Sequence, residues 1–549
     1  MTNSKRTILE VSGMTCDDCA RHVTAALVEV GASDVSVTWN HGEAEFSWPP
    51  EIPELDLRAA VSNAGYGAGT LSYVEHSTKN EPTTENDYDL LVIGAGSAAF
   101  AAAIKATEAG YRVALVEQST LGGTCVNVGC VPSKALLRAG ETAWLAQHHP
   151  FLGVRSSLES VNLSQTVSQK DQLVATLRQV KYANLVEDYG FTVLEGHAQF
   201  TSKDIVEVGG KPISATRVLV ATGATPSIPP IPGLADSDYL TSTTALELGE
   251  IPKSIAIIGA NAIGLELGQF FLHVGSRVTF IDVADRIAPF EEPEISFALT
   301  NALTSQGAVI HTSAQIVNVS QKSDKRIIHL NVDLSLHDIF VDQILVATGR
   351  RPNTKDLGLD LAGIETDSRG AIIVDDFLRT SNAKVFAAGD VTGAPQFVYV
   401  SAYEGALAVD NALLGSSRSV DFKALPRVTF TSPQLASAGL TEAQAREAGF
   451  DIVTSILPLD AVPRALVNHE TNGLFKLVAE AETGKLLGAS IMSDGAGEVI
   501  QSAVLAIKYG ITTSELASTF HPYLTMVEGL KLAAQTFTRD VHKLSCCAA

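Results

Sequence analysis

Apolar and polar positions divide this 549-residue chain into four blocks. In residues 1–75, Thr7 to Val11 is apolar and strand-like, and Ala20 to Val30 repeats with helical period. Val35 to Trp39 and Glu43 to Trp48 alternate as strands do, Leu55 to Ala64 is a second helix, and Thr70 to Val74 a last strand. The order is βαββαβ, a ferredoxin-like unit. Residues 76–87 are polar and almost free of apolar side chains, which predicts a flexible linker.

The second block opens on Tyr88-Asp89-Leu90-Leu91-Val92-Ile93, a buried strand. Gly94-Ala95-Gly96-Ser97-Ala98-Ala99 follows and leads into an Ala-rich helix, and Glu117 ends the next strand, Arg112 to Val116. Strand, glycine turn, helix and terminal carboxylate together form a dinucleotide fingerprint. Gly94 and Gly96 let the backbone approach a pyrophosphate, with Ala98 and Ala99 in the helix turn beside it, and Glu117 accepts from a ribose hydroxyl. A second unit runs from Ser254 to Ile258 through Gly259-Ala260-Asn261-Ala262-Ile263-Gly264 to the strand Arg277–Ile281, with Asp282 at its end. Asn261 replaces the middle glycine, and asparagine tolerates unusual backbone angles. A carboxylate at Asp282 favours a ribose 2′-hydroxyl over a 2′-phosphate, while Arg286 lies four residues on.

A net charge of -22 argues against nucleic acid as a partner. The polar, basic start and the lack of a long apolar run predict neither a secretory signal nor membrane insertion, so a cytoplasmic protein is expected. In that compartment cysteines are usually reduced, catalytic or metal-binding. The six cysteines form three close pairs, Cys16/Cys19, Cys125/Cys130 and Cys546/Cys547. Paired thiolates are soft ligands and two-electron redox groups, so soft-metal handling coupled to flavin chemistry is expected. Cys16 and Cys19 lie at the first strand-to-helix turn, where a helix N-terminus lowers thiol pKa. They read as a metal site, with a redox pair on an interaction domain as the other reading. Four residues separate Cys125 from Cys130, a spacing expected to let one helical turn hold both sulfurs.

Gly13-Met14-Thr15-Cys16-Asp17-Asp18-Cys19 resembles the motif of heavy-metal-associated domains. Gly122-Gly123-Thr124-Cys125-Val126-Asn127-Val128-Gly129-Cys130-Val131-Pro132-Ser133-Lys134 resembles the redox disulfide of the pyridine nucleotide–disulfide oxidoreductases. The resemblance implies an α/β fold with two Rossmann-like domains and an α+β dimerisation domain, preceded by the βαββαβ domain. FAD would be held by residues 88–235 and 356–425, NADPH or NADH by 236–355, and 426–549 would form a homodimer with a shared active site. It implies that Cys130 is the charge-transfer thiolate, Cys125 the outer thiol, and Lys134 the flavin-side lysine paired with Glu266. Gly122, Thr124, Gly223, Gly349 and Asp390 join the cofactor-binding set, Asp390 at the ribityl chain, with Gly259, Gly264 and Asp282 on the nicotinamide side.

Members acting on organic disulfides carry His-Pro with a glutamate a few residues on, a general acid–base pair. Here Phe520-His521-Pro522-Tyr523-Leu524-Thr525-Met526 places Met526 where that glutamate would stand. With the Cys546/Cys547 tail, this resembles the family members that reduce Hg(II). That resemblance implies Tyr182 and Tyr523 as active-site tyrosines, and Hg(II) thiolate complexes as substrate, relayed from Cys546/Cys547 to Cys125/Cys130. A general disulfide reductase explains the core but not the terminal pairs. A metal carrier without activity explains the pairs but not the nucleotide units, and a thiol-dependent sensor is a further alternative.

Overall fold

The computed structural model describes residues 5–14, 17–39, 42–49, 52–73, 87–322, 324–332 and 335–540. Two compact units divide the chain, Met1–Glu85 and Asn86–Ala549. The predicted linker falls mostly outside the described residues, as do Cys16, Cys546 and Cys547.

The first unit is the expected βαββαβ arrangement. Strands Lys5–Ser12, Ser33–Thr38, Glu43–Trp48 and Gly67–Tyr73 form one antiparallel sheet, with Lys5–Ser12 between the third and fourth strands. Helices Asp17–Glu29 and Glu54–Asn63 bring Val23, Leu27, Leu57 and Val61 onto Leu9 and Phe46. Each such buried side chain contributes about 1.5–3 kcal/mol relative to exposure. Cys19 is half-buried near the start of the first helix.

The second unit contains three sheets that position the site. The first is parallel, in the order Val385–Ala387, Ala215–Val220, Tyr88–Ile93, Val113–Glu117, Thr192–Glu195. Its strands are covered on both faces, so Leu90–Ile93 is a continuous buried apolar run rather than an alternating one. The second is also parallel, in the order Val309–His311, Arg277–Ile281, Ser254–Ile258, Gln343–Val346. The third is a five-stranded antiparallel sheet built from residues between Pro426 and Ser493. The helix Ala262–His273 is buried along nearly its whole length, including the polar residues Glu266 and Gln269. No helix among the described residues is long and apolar enough to cross a membrane.

Candidate active site

Both dinucleotide turns begin on a glycine whose place no other residue could take. Gly94 has φ +118°, and a Cβ there would lie 2.3 Å from the Ala221 carbonyl oxygen. Gly259 has φ +100°, and its Cβ would meet the Ala347 carbonyl oxygen at 2.5 Å. The middle position differs in kind. Gly96 (φ -90°, ψ -165°) and Asn261 (φ -115°, ψ -172°) both adopt extended backbone before their helices. Asn261 therefore needs no unusual angle in this turn.

The helices Ser97–Glu108 and Ala262–His273 lack a side-chain cap at these N-termini, leaving backbone N–H groups for an anion. Beside the first lies a cavity of about 730 Å³ lined by Gly94, Gly96, Glu117, Thr124 and Gly223 among others. Glu117 Oε1 accepts from the Ser119 N–H at 2.7 Å and its hydroxyl at 3.0 Å, which orients the carboxylate at the cavity wall. A Cβ on Gly223 would meet nothing within 4 Å, so this wall is open. Arg350 Nε lies 3.6 Å from Asp390 Oδ2, and burial raises the Asp390 pKa against that attraction. Volume, orphan donors and the oriented Glu117 carboxylate fit FAD. On the second unit Asp282 accepts from the Ala260 N–H at 2.6 Å and from the Ala284 N–H at 2.8 Å. That ties a carboxylate at the strand end to the glycine turn and fits a nicotinamide dinucleotide.

The dithiol is built on a break between two helices. Cys125 lies in the helix Gly123–Val128, and Cys130 opens the helix Cys130–Leu145. Gly129 separates them at φ -128°, ψ -114°, so the expected single helical turn is replaced by a junction. A Cβ on Gly129 would come within 2.9 Å of the Thr124 carbonyl oxygen. Both thiols are free, and they hydrogen-bond to each other. That bond lowers the Cys130 pKa to about 7, against burial and with help from Lys134. The same bond, with burial and the Cys130 charge, pushes Cys125 above the ordinary thiol range. One proton is thus shared unequally, and Cys130 is the thiol that ionises first.

Lys134, one turn beyond Cys130, donates to Glu266 Oε2 at 2.6 Å. Glu266 Oε1 accepts from the Phe430 N–H at 2.9 Å, and Lys134 Nζ stands 4.6 Å from the centre of the Phe430 ring. Lys134 is therefore fixed by a carboxylate and an aromatic face. Tyr182 stands by the thiols with its hydroxyl partnered by Ser97, and burial raises its pKa. Tyr399, whose hydroxyl donates to the Pro426 carbonyl, is pushed up to about 12 by burial and feels the Cys130 charge. Sequence reasoning named Asp390 but not its partner Arg350, and it missed Phe430 and Tyr399 as site members.

Tyr523 and His521 lie on an exposed loop before the helix Glu528–Gln535, and none of the contacts described for the dithiol involves them. Met526 packs into the core of the third sheet. Glu528 is buried with Oε2 unpartnered, and burial raises its pKa.

Two dinucleotide turns and a polarised dithiol define a class: a flavin-linked dithiol oxidoreductase driven by a nicotinamide cofactor. Residues 88–405 match the family described as pyridine nucleotide-disulphide oxidoreductase, residues 425–534 its dimerisation domain, and residues 8–67 the heavy-metal-associated domain. The chain is 49% identical to the mercuric reductase of Lysinibacillus sphaericus, covering 98% of this chain and 99% of that one. It is 49% identical to the mercuric reductase of Staphylococcus aureus, over 98% of each. The chain belongs to the pyridine nucleotide–disulphide oxidoreductases and, within them, to the mercuric reductases. Among solved structures, the HOCl-induced flavoprotein disulfide reductase RclA from Escherichia coli superposes with a TM-score of 0.74 at 32% identity. That match covers 82% of this chain and 99% of the other. The family's cofactors are FAD and NAD(P)H.

Proposed function

We propose that this chain reduces Hg(II) to Hg(0) with electrons from NAD(P)H, through Cys125 and Cys130. The observation that carries the reading is the polarised thiol pair, because a thiolate and a thiol at one point are what a soft dithiolate cation exchanges onto. Bound FAD supplies the two-electron path between nicotinamide and the dithiol site. Hg(II) arrives as a complex with two thiolates. The Cys130 thiolate displaces one of them, which takes up the proton lost as Cys125 displaces the other. Lys134, held by Glu266 and Phe430, stabilises the thiolate charge before metal arrives. When two electrons reach the metal, both S–Hg bonds break towards sulfur, Hg(0) leaves and two thiolates remain. No general acid for a departing organic thiol is needed, which suits a chain with Met526 where a glutamate would stand. By family resemblance, the Cys546/Cys547 tail comes from the partner subunit.

The test is mercury-dependent oxidation of NAD(P)H by the FAD-loaded dimer in excess thiol. Turnover of glutathione or lipoamide disulfide without mercury turnover would overturn the reading. In the same assay, Cys546→Ala with Cys547→Ala is expected to leave flavin content unchanged. Turnover should fall on the order of tenfold when competing thiols are in large excess, where ligand exchange limits entry. Equal turnover at high thiol would remove the tail from the relay.

Cofactor choice is expected to follow Asp282. Its carboxylate is oriented by two backbone donors, whereas Arg286 donates to the Pro289 carbonyl at 2.8 Å and lies 3.6 Å from Asp285. We expect NADH to serve at least as well as NADPH. Asp282→Ala also loosens the glycine turn, so both cofactors should lose, NADH by roughly tenfold more in kcat/KM. A strong native preference for NADPH would show that a cation outweighs the carboxylate.

A further inference from the structure

The helix that carries Tyr182 contains one wide turn. Leu163–Arg178 is α-helical, Gln179–Ala183 is a π turn, and Asn184–Tyr189 resumes the α-helix. The Asn184 N–H donates to the Gln179 carbonyl five residues back. The Gln179 side-chain amide donates to Asn184 Oδ1 at 2.8 Å, so side chains close the same span that the backbone does.

The burial pattern shows what the extra residue does. Leu163, Lys170 and Val174 are buried, with Val167 half-buried among them and Leu177 half-buried after them. An unbroken α-helix would continue that stripe through positions 181, 184 and 188, and would turn Tyr182 roughly 80° away from Val174. Those three positions, Lys181, Asn184 and Asp188, are instead exposed. Tyr182, Leu185, Val186 and Tyr189 pack against the core of the first sheet. The stripe has moved by one residue, and the move occurs across the π turn.

The shift places Tyr182 on the dithiol side. Its ring meets Phe100 edge-on at 4.8 Å, and a Cβ on Gly122 would come within 3.3 Å of it. Arg178, the last residue before the π turn, donates to Asn127 Oδ1 at 3.2 Å. Asn127 in turn donates to the carbonyls of Leu121 and Gly123, both at 2.9 Å. The wide turn therefore starts where its helix is tied to the segment carrying Cys125.

We propose that the π turn is a positioning device, in which one inserted residue, closed by the Gln179–Asn184 clasp, sets Tyr182 against the segment that carries the dithiol. Gln179 and Asn184 are positioning residues that act through Tyr182. This rests on the reading that Tyr182 serves Hg(II) at Cys125 and Cys130, and adds how its placement is set. π turns are rare and concentrate at functional sites.

The test uses the FAD-loaded dimer and four variants, with turnover in excess thiol and Hg(II) affinity of the reduced enzyme, by competition with a small dithiol, as readouts. Tyr182→Phe sets the reference loss. Gln179→Ala with Asn184→Ala, both on the exposed side, should fold normally and lower kcat/KM on the order of tenfold. Added to Tyr182→Phe, the alanine pair should cause no further loss, and the reciprocal pair Gln179→Asn with Asn184→Gln should restore turnover. If Tyr182→Phe has no effect, the role of Tyr182 itself falls and the positioning role with it. If Tyr182→Phe is impaired while the alanine pair turns over as wild type, the turn is a tolerated insertion and the positioning role alone is wrong.

Discussion

Replacing Cys130 with serine is expected to reduce Hg(II) turnover on the order of a thousandfold while leaving FAD bound, because it removes a metal ligand and the charged member of the pair. The Cys125 hydrogen bond, opposed by burial and aided by Lys134, brings the Cys130 pKa to about 7. The thiolate is therefore populated as pH rises through about 7, and a step that needs it should rise over the same range and then level. Lys134→Met removes a positive neighbour, which favours the protonated thiol and should move that rise to higher pH. Stopped-flow capture of Hg(II) by the reduced enzyme, followed from pH 5 to 9, checks both points. A Cys130→Ser enzyme retaining a tenth of wild-type turnover would sink the assignment.

What was legible in the sequence was local. Gly94, Gly96 and Glu117 lie within one βαβ turn, so their spacing carries the cofactor site directly. The βαββαβ order was legible for the same reason, with boundaries shifted by a few residues: Thr70–Val74 was expected and Gly67–Tyr73 is observed. Pairings that cross the chain were legible only through resemblance. Lys134 and Glu266 stand 132 residues apart, and Glu266 and Phe430 164 apart, and no periodicity links them. Phe430 is a strand-flanking aromatic in sequence, and its N–H and ring acquire roles only once the third sheet docks on the Ala262–His273 helix. Gln269 joins that contact by accepting from the Ser432 N–H at 2.7 Å. The π turn was hidden because its one-residue shift shows only when burial is known on both sides of Tyr182. The terminal pair partners Cys16, Cys546 and Cys547 lie outside the described residues, so their roles rest on sequence and family.

Lys476→Met is expected to destabilise the second unit by about 3–5 kcal/mol, because it leaves the buried Glu292 carboxylate, in a cluster of three, without its cation. Lys476 is 2% exposed and lies 2.9–3.0 Å from Glu292, Glu294 and Glu442. Glu292 is itself 3% exposed and also accepts from the Glu442 N–H at 2.6 Å. Burial works against the charge on Lys476, yet its hydrogen bonds to Glu442, Glu294 and Glu292 outweigh it and raise the pKa above the ordinary lysine value. That contribution is complete below the unfolded lysine pKa and fades only as pH rises through the higher folded value. Glu442 is shifted the other way, by its hydrogen bonds to Lys476 and Arg446. Its share is present above the ordinary glutamate pKa and is lost as pH falls through the lowered one. Between these limits the deficit of the variant should be flat with pH. Adding Glu292→Gln to Lys476→Met should recover part of it, since the buried charge then goes with its partner. Urea unfolding of the FAD-loaded enzyme at pH 6, 7 and 8 measures this, and a Lys476→Met midpoint equal to wild type would refute it. Glu292 and Glu294 flank the start of the nicotinamide-side helix Pro293–Ser305, while Lys476 lies on the third sheet. The cluster thus locks the same boundary across which Phe430 holds Glu266, so losing it should also weaken the Lys134–Glu266 pair at the dithiol.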